Sequence, residues 1–250
     1  MRYALAASGQ LKDFGEIFHD YRQLTQLPFL DFLERWPTPL AAMLNWSVSA
    51  EISRAYVRQL KFESYGLRPL IDIKHNAWSV LRPLWQFPHG EPPFMTALKD
   101  ARSLFVQLKR ENLADQVISY VIANHSQLWH VPIANSDVPD QLRGKPLDPV
   151  LVRRLCRLFV RAEALTDELL SGYKHRVSLV YEETFADGVL TPHAAERLGG
   201  ALGMDIRPAN LPLEPNSVAK QEVLSNYDEV CEIANSFESA RSKICPPSLP

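Results

Sequence analysis

Three observations predict an α/β fold in which helices cover both faces of a parallel sheet. Short apolar runs at residues 70–74, 104–108 and 176–181 have the length of strands, and stretches of helical spacing separate them. The chain has 250 residues, 46% of them hydrophobic and 22% charged, which suffices for one sizeable core and lies near the upper end for one domain. Residues 1–250 are therefore read as a single domain, and no internal repeat or low-complexity tract argues otherwise.

The elements follow in order. Residues 1–9 read as a helix already under way, residues 10–20 as a loop, and Pro37-Thr38-Pro39 as a break. Ile52, Ala55, Tyr56, Gln59 and Leu60 fall at helical spacing, which predicts a helix over 49–62 feeding a strand near 69–74. Residues 76–84 read as helical, and residues 86–93, with three prolines and a glycine, as a surface loop. The strand at 104–108 and a long helix come next, followed by a Pro-rich polar crossing over 131–149 suited to shaping a substrate cleft. Pro149 can open a helix over 150–173. Residues 176–181 form the next strand, 192–202 a helix closed by Gly203, and 221–237 the last helix.

Composition narrows the function. The net charge of −2 excludes a broad polyanion-binding surface, so nucleic acid is not an expected partner and phosphate recognition must come from a few placed cations. No apolar run reaches 18 residues and no charged-then-apolar signal opens the chain, so neither a transmembrane segment nor export is expected. Cys156, Cys231 and Cys245 are widely spaced and make no Cys-x-x-Cys pair. They suit reduced thiols in a cytoplasmic protein, two of them as small buried hydrophobes, and they supply no metal framework.

The segment from Ser103 to His130 carries the most chemistry. Lys109 and Arg110 sit where the strand at 104–108 emerges, and Asn112 can cap the helix that follows. That helix's first N–H groups and positive dipole end then point at the same place, a ready anion site. Asn112, Gln116, Ser119, Ala123 and Ser126 form one polar or small face. Arg110 and Ser119 can therefore converge on one phosphate, through a guanidinium fork and a hydroxyl. A plain surface cation is the alternative for Arg110.

Arg110, Asn112, Val117, Ser119, Trp129 and His130 resemble the second phosphate-binding motif of sulfotransferases that use 3′-phosphoadenosine 5′-phosphosulfate (PAPS). The likeness is closest to bacterial carbohydrate sulfotransferases of the trehalose-sulfotransferase type. Residues 70–74 look like the family's Lys-ended strand, residues 179–183 like its Tyr-Glu-acid strand end, and Ala219-Lys220-Gln221 like its C-terminal Lys-Gln. The resemblance implies a P-loop-like domain with PAPS as co-substrate and no metal. The family opens with a strand and a Gly/Ser/Thr loop around the 5′-phosphosulfate, whereas this sequence begins with what looks like the helix after them. The expectation is an enzyme chain lacking that strand and loop, whose loss would leave two neighbouring strands with unpaired backbone groups.

Sulfuryl transfer depends on positioning, cation placement and a base for the acceptor hydroxyl. The resemblance assigns the base to Glu16, with His19 and His75 as alternatives and an exposed loop carboxylate as the bland reading. Lys74, at a strand's C-terminal end, is placed to hold sulfuryl or bridging oxygens. His75 should face away from it, since strand side chains alternate. Arg110 and Ser119 are expected at the 3′-phosphate and Tyr181 by the adenine, with Lys220 near the nucleotide as the tail folds back. Lys74, Arg110 and Tyr181 should share one edge of one sheet. Trp46, Trp85 and Trp129 can stack on sugars or simply fill core. The leading expectation is sulfuryl transfer from PAPS to a hydroxyl of a carbohydrate or glycolipid acceptor. The alternative is a noncatalytic sulfotransferase-like protein that binds a nucleotide or a partner chain, and a homodimer stays open.

Overall fold

The described residues form two two-stranded sheets, a small hairpin and a set of helices. The computed structural model describes residues 1–18, 27–37, 45–74, 91–126, 142–186, 189–206 and 220–244. The chain is mixed α/β, with two compact units. Unit 1 comprises residues 1–107, 165–177 and 195–209, and unit 2 comprises 108–164, 178–194 and 210–250.

In unit 1, α1 (Arg2–Ala6) leads into β1 (Leu11–Glu16), followed by α2 (Phe29–Glu34) and α3 (Trp46–Glu63). Asn45 starts α3, accepting from the backbone N–H groups of Ser47 at 2.9 Å and Val48 at 3.3 Å. The face expected from spacing is the buried one, with Ile52, Tyr56 and Leu60 all within 2% of full burial. A turn through Tyr65 and Gly66, both at positive φ, then delivers the chain to β2 (Arg68–Asp72). Pro93 opens α4 (Pro93–Asp100). Phe18, Phe29, Phe32, Tyr56 and Phe94 form an edge-to-face cluster, with Phe29 and Tyr56 centroids 5.0 Å apart. The buried Tyr56 hydroxyl donates to the Leu27 carbonyl at 2.6 Å.

Unit 2 is built on α5 (Leu113–Ser126), α6 (Pro149–Leu169, of which residues 149–164 belong here) and α10 (Tyr227–Ile244). Val117, Ile118, Val121, Val152, Cys156, Val230 and Ala234 meet in one core. Burial pushes the Cys156 thiol up to about 11. Between these helices in sequence lie α7 (Tyr181–Thr184), the hairpin of β5 (Phe185–Ala186) with β6 (Val189–Leu190), and α9 (Lys220–Val223). The helix α8 (Pro192–Leu202), of which residues 195–202 belong to unit 1, has the bounds its sequence predicts, and Gly203 closes it at φ 63°. β3 (Phe105–Lys109) and β4 (Arg176–Val180) carry the chain between the units.

Several expectations need correction. Among the described residues β2 pairs with β1, and β3 with β4, so the three predicted strands do not lie in one sheet. Residues 11–16 form a strand instead of a loop, because Leu11 and Phe14 have a core to enter. Val180 ends β4 and Tyr181 opens a short helix, so Tyr181 is not a strand residue. The last helix is two, α9 and α10. The helix expected at 76–84 and most of the crossing at 131–149 lie outside the described residues.

Candidate functional site

Unit 1 gathers Glu16, Asp72 and Lys74 at the C-terminal ends of two strands. β1 and β2 run parallel, pairing Leu11 with Arg68, Lys12 with Pro69 and Asp13 with Leu70. That register would set Glu16 opposite Ile73, but it slips between Asp13 and Glu16, and Glu16 comes opposite Asp72. Gly15 makes the slip feasible. Its φ of 78° suits glycine, and its N–H donates to the Asp13 carboxylate at 2.9 Å. Side chains alternate along a strand, so Asp72 and Lys74 share a face, and the one-residue slip turns Glu16 onto it.

The Lys74 ammonium lies 2.7 Å from Asp72 and 3.2 Å from Glu16. The Glu16 side chain is 8% exposed and that of Lys74 is 49% exposed, so a buried carboxylate is held by a cation that reaches solvent. Burial by itself would lower the Lys74 pKa. The adjacent carboxylates of Asp72 and Glu16 outweigh it and hold the ammonium above its ordinary value. Sequence reasoning named Glu16 and Lys74 separately and missed Asp72. The signal available was Asp72-x-Lys74 at the end of an apolar strand, which puts both on one face. His19 and His75 lie outside the described residues.

Beside β2, still within unit 1, a cavity of about 500 Å³ runs along residues 68–73 and 101–107. Its lining is largely apolar, including Leu70, Ile71, Phe105 and Val106.

Unit 2 carries the four residues expected at a nucleotide. The Arg110 guanidinium lies over the Tyr181 ring, 4.1 Å from its centroid. Ser119 is half-buried on the second turn of α5. The Lys220 ammonium pairs with Asp115 in the first turn of α5 at 2.9 Å, which brings it to the same helix. Asn112 caps α5 as predicted, accepting from the Asp115 N–H at 2.9 Å.

The open anion site expected at the start of α5 is corrected by these same bonds. The N–H groups of Glu111 and Asn112 donate to the Glu182 carboxylate at 3.1 and 3.3 Å, and that of Leu113 donates to Glu238 at 2.8 Å. The protein's own carboxylates therefore stand where an anionic ligand was expected. Among the described residues no His, Cys, Asp or Glu cluster could hold a metal ion, and no helix is long and apolar enough to cross a membrane. No protein-family model matches the chain, and no curated protein and no solved structure matches it either.

Proposed function

We propose that this chain is a PAPS-dependent sulfotransferase acting on a hydroxyl of a carbohydrate or glycolipid, and that its fold is P-loop-like. One observation carries the reading: a buried carboxylate and an ammonium 3.2 Å apart at the C-terminal ends of two parallel strands. That edge of an α/β sheet is where ligands bind. PAPS would supply the sulfuryl group and a stable leaving group. In unit 1, Glu16 would take the acceptor's proton as its oxygen bonds to sulfur, while Lys74 offsets charge on the sulfuryl oxygens. Adenosine 3′,5′-bisphosphate would leave as the phosphosulfate S–O bond breaks. In unit 2, the stacked Arg110 and Tyr181 suit an anionic nucleotide, with Ser119 and Lys220 on the neighbouring helix. The N-terminus of α5 does not suit one, since Glu182 and Glu238 occupy it.

That occupancy counts against productive placement of PAPS and motivates the second reading, a sulfotransferase-like protein that binds a nucleotide without catalysing. One experiment separates the two. Calorimetry with adenosine 3′,5′-bisphosphate should show binding, weakened by about 1.5 to 3 kcal/mol in Arg110→Ala. Transfer from PAPS to a panel of sugars should fall about 10² to 10⁴-fold in Glu16→Gln with nucleotide affinity unchanged, because an amide cannot accept the proton. Binding without transfer supports the second reading. Equal nucleotide affinity for wild type and Arg110→Ala defeats both.

A further inference from the structure

Among the described residues, the outer face of α6 carries a row of cations without carboxylate partners. Arg153, Arg154, Arg157 and Arg161 are all exposed, and among the described residues none is paired with a carboxylate. At 3.6 residues per turn they fall, with Val150, within an arc of about 100° and along about 16 Å of helix. Val150 is 69% exposed and the neighbouring Leu158 37%, so the strip is basic with apolar edges. Its position is costly in an isolated chain. Arg153, Arg157 and Arg161 stand at successive i, i+4 steps, where like charges repel.

The opposite charge stands on another outward face of the same unit. In α10, Asp228, Glu229 and Glu232 are exposed, and Glu222 is exposed on α9 just before it. No cation among the described residues pairs with Asp228 or Glu232, which again stand at i, i+4. Both helices bury their other sides in one core, α6 through Val152, Leu155 and Cys156, and α10 through Val230, Ile233 and Ala234. Neither charged face is therefore turned toward the interior.

We propose that the partner of the α6 arginine row is the α10 acidic face of a second copy of this chain, in a two-fold dimer in which each copy offers both faces. The argument is charge complementarity. A surface with four unpaired cations selects a partner with matched acids, and this chain carries such a surface itself. A two-fold axis makes the contact twice, which suits an isologous dimer. Arginine is also among the residues enriched at interfaces. The inference is independent of the proposed enzymatic activity.

The test is sedimentation equilibrium on wild type, R157E/R161E and D228R/E232R, with circular dichroism to confirm that each folds. Wild type should dimerise, and its dissociation constant should rise about tenfold or more between 50 and 500 mM salt, because exposed ion pairs are screened. Each variant by itself should be monomeric, since like charges then face each other. An equimolar mixture of the two variants should form a heterodimer, because every α6 face then meets an α10 face of opposite sign. A monomeric wild type, a variant that dimerises like wild type, or a mixture that stays monomeric overturns the proposal. Binding of wild type to vesicles of anionic phospholipid, with no self-association, would assign the arginine row to a membrane surface and overturn it as well.

Discussion

Replacing Lys74 by methionine removes the ammonium that pairs with both Glu16 and Asp72 while keeping the length and apolar stem of the side chain. The cost can be bracketed from the exposures. Removing one partner of a fully buried pair costs about 3 to 5 kcal/mol, whereas an exposed pair contributes about 0 to 1 kcal/mol. Here Glu16 is 8% exposed and Lys74 is 49% exposed, so solvent screens the lysine end and the expected loss is about 1.5 kcal/mol. In a chain of this length that lowers the melting temperature by about 3 to 6 °C. The assay is urea and thermal denaturation of wild type, Lys74→Met, Glu16→Gln and the double variant, read as a cycle whose coupling should be about 1 kcal/mol. The pH dependence follows from the sign of the shift. The folded pKa of Lys74 is raised above 10.5, so its stabilisation is fully present below pH 10.5 and disappears as pH rises through the folded value. Strictly additive single variants at pH 7, or a wild-type advantage that persists far above that range, would refute the ion pair as the source.

Gly15→Ala should cost about 1 to 2 kcal/mol, the penalty for a side chain in the left-handed region, and should also shrink the Glu16–Lys74 coupling measured by the same cycle. A loss of stability with the coupling intact would show that the register slip does not place Glu16. Glu182→Gln keeps an acceptor for the Glu111 and Asn112 N–H groups but removes the charge, so adenosine 3′,5′-bisphosphate should bind more tightly by about 0.2 to 1 kcal/mol, the scale of an exposed charge interaction. Weaker binding in a folded variant would contradict competition between that carboxylate and a phosphate. Cys156, with its thiol raised to about 11, should resist iodoacetamide at pH 8 until the protein is unfolded, while the half-buried Cys231 reacts sooner. Mass mapping that finds both modified at one rate would place Cys156 outside the core.

The helices could be read from sequence because their signals are local. Asn112 and Gly203 mark two ends through a bond or a backbone angle close at hand, and the buried face of α3 repeats every turn, although its start at Asn45, ahead of the expected residue 49, was not read. β1 could not be read in that way. Its six residues include Lys12, Asp13, Gly15 and Glu16, and only Leu11 and Phe14 are apolar and buried. The composition is that of a loop, and the strand exists because β2, more than fifty residues later, supplies its backbone partners. Asp72 went unnoticed as a site residue for a related reason, since only the register slip at Gly15 reveals that Glu16 shares the face of Asp72 and Lys74.

The start of α5 shows the limit of the same kind of reasoning. A capping Asn after a strand does predict N–H groups with no helical acceptor and a positive dipole end, and α5 begins with both. What occupies them is a separate question that local sequence does not answer. Here the acceptors are Glu182 and Glu238, which stand 71 and 125 residues from the groups they bind. A carboxylate supplied from so far along the chain requires the local fold of unit 2 to be complete before α5 is fully capped. Glu182 is thereby coupled to both roles considered for this region. It sits next to Tyr181, on which Arg110 stacks, and it binds the residue after Arg110. Any anion that reaches Arg110 would meet that carboxylate or displace it, so the charge at position 182 would offset part of the arginine's attraction.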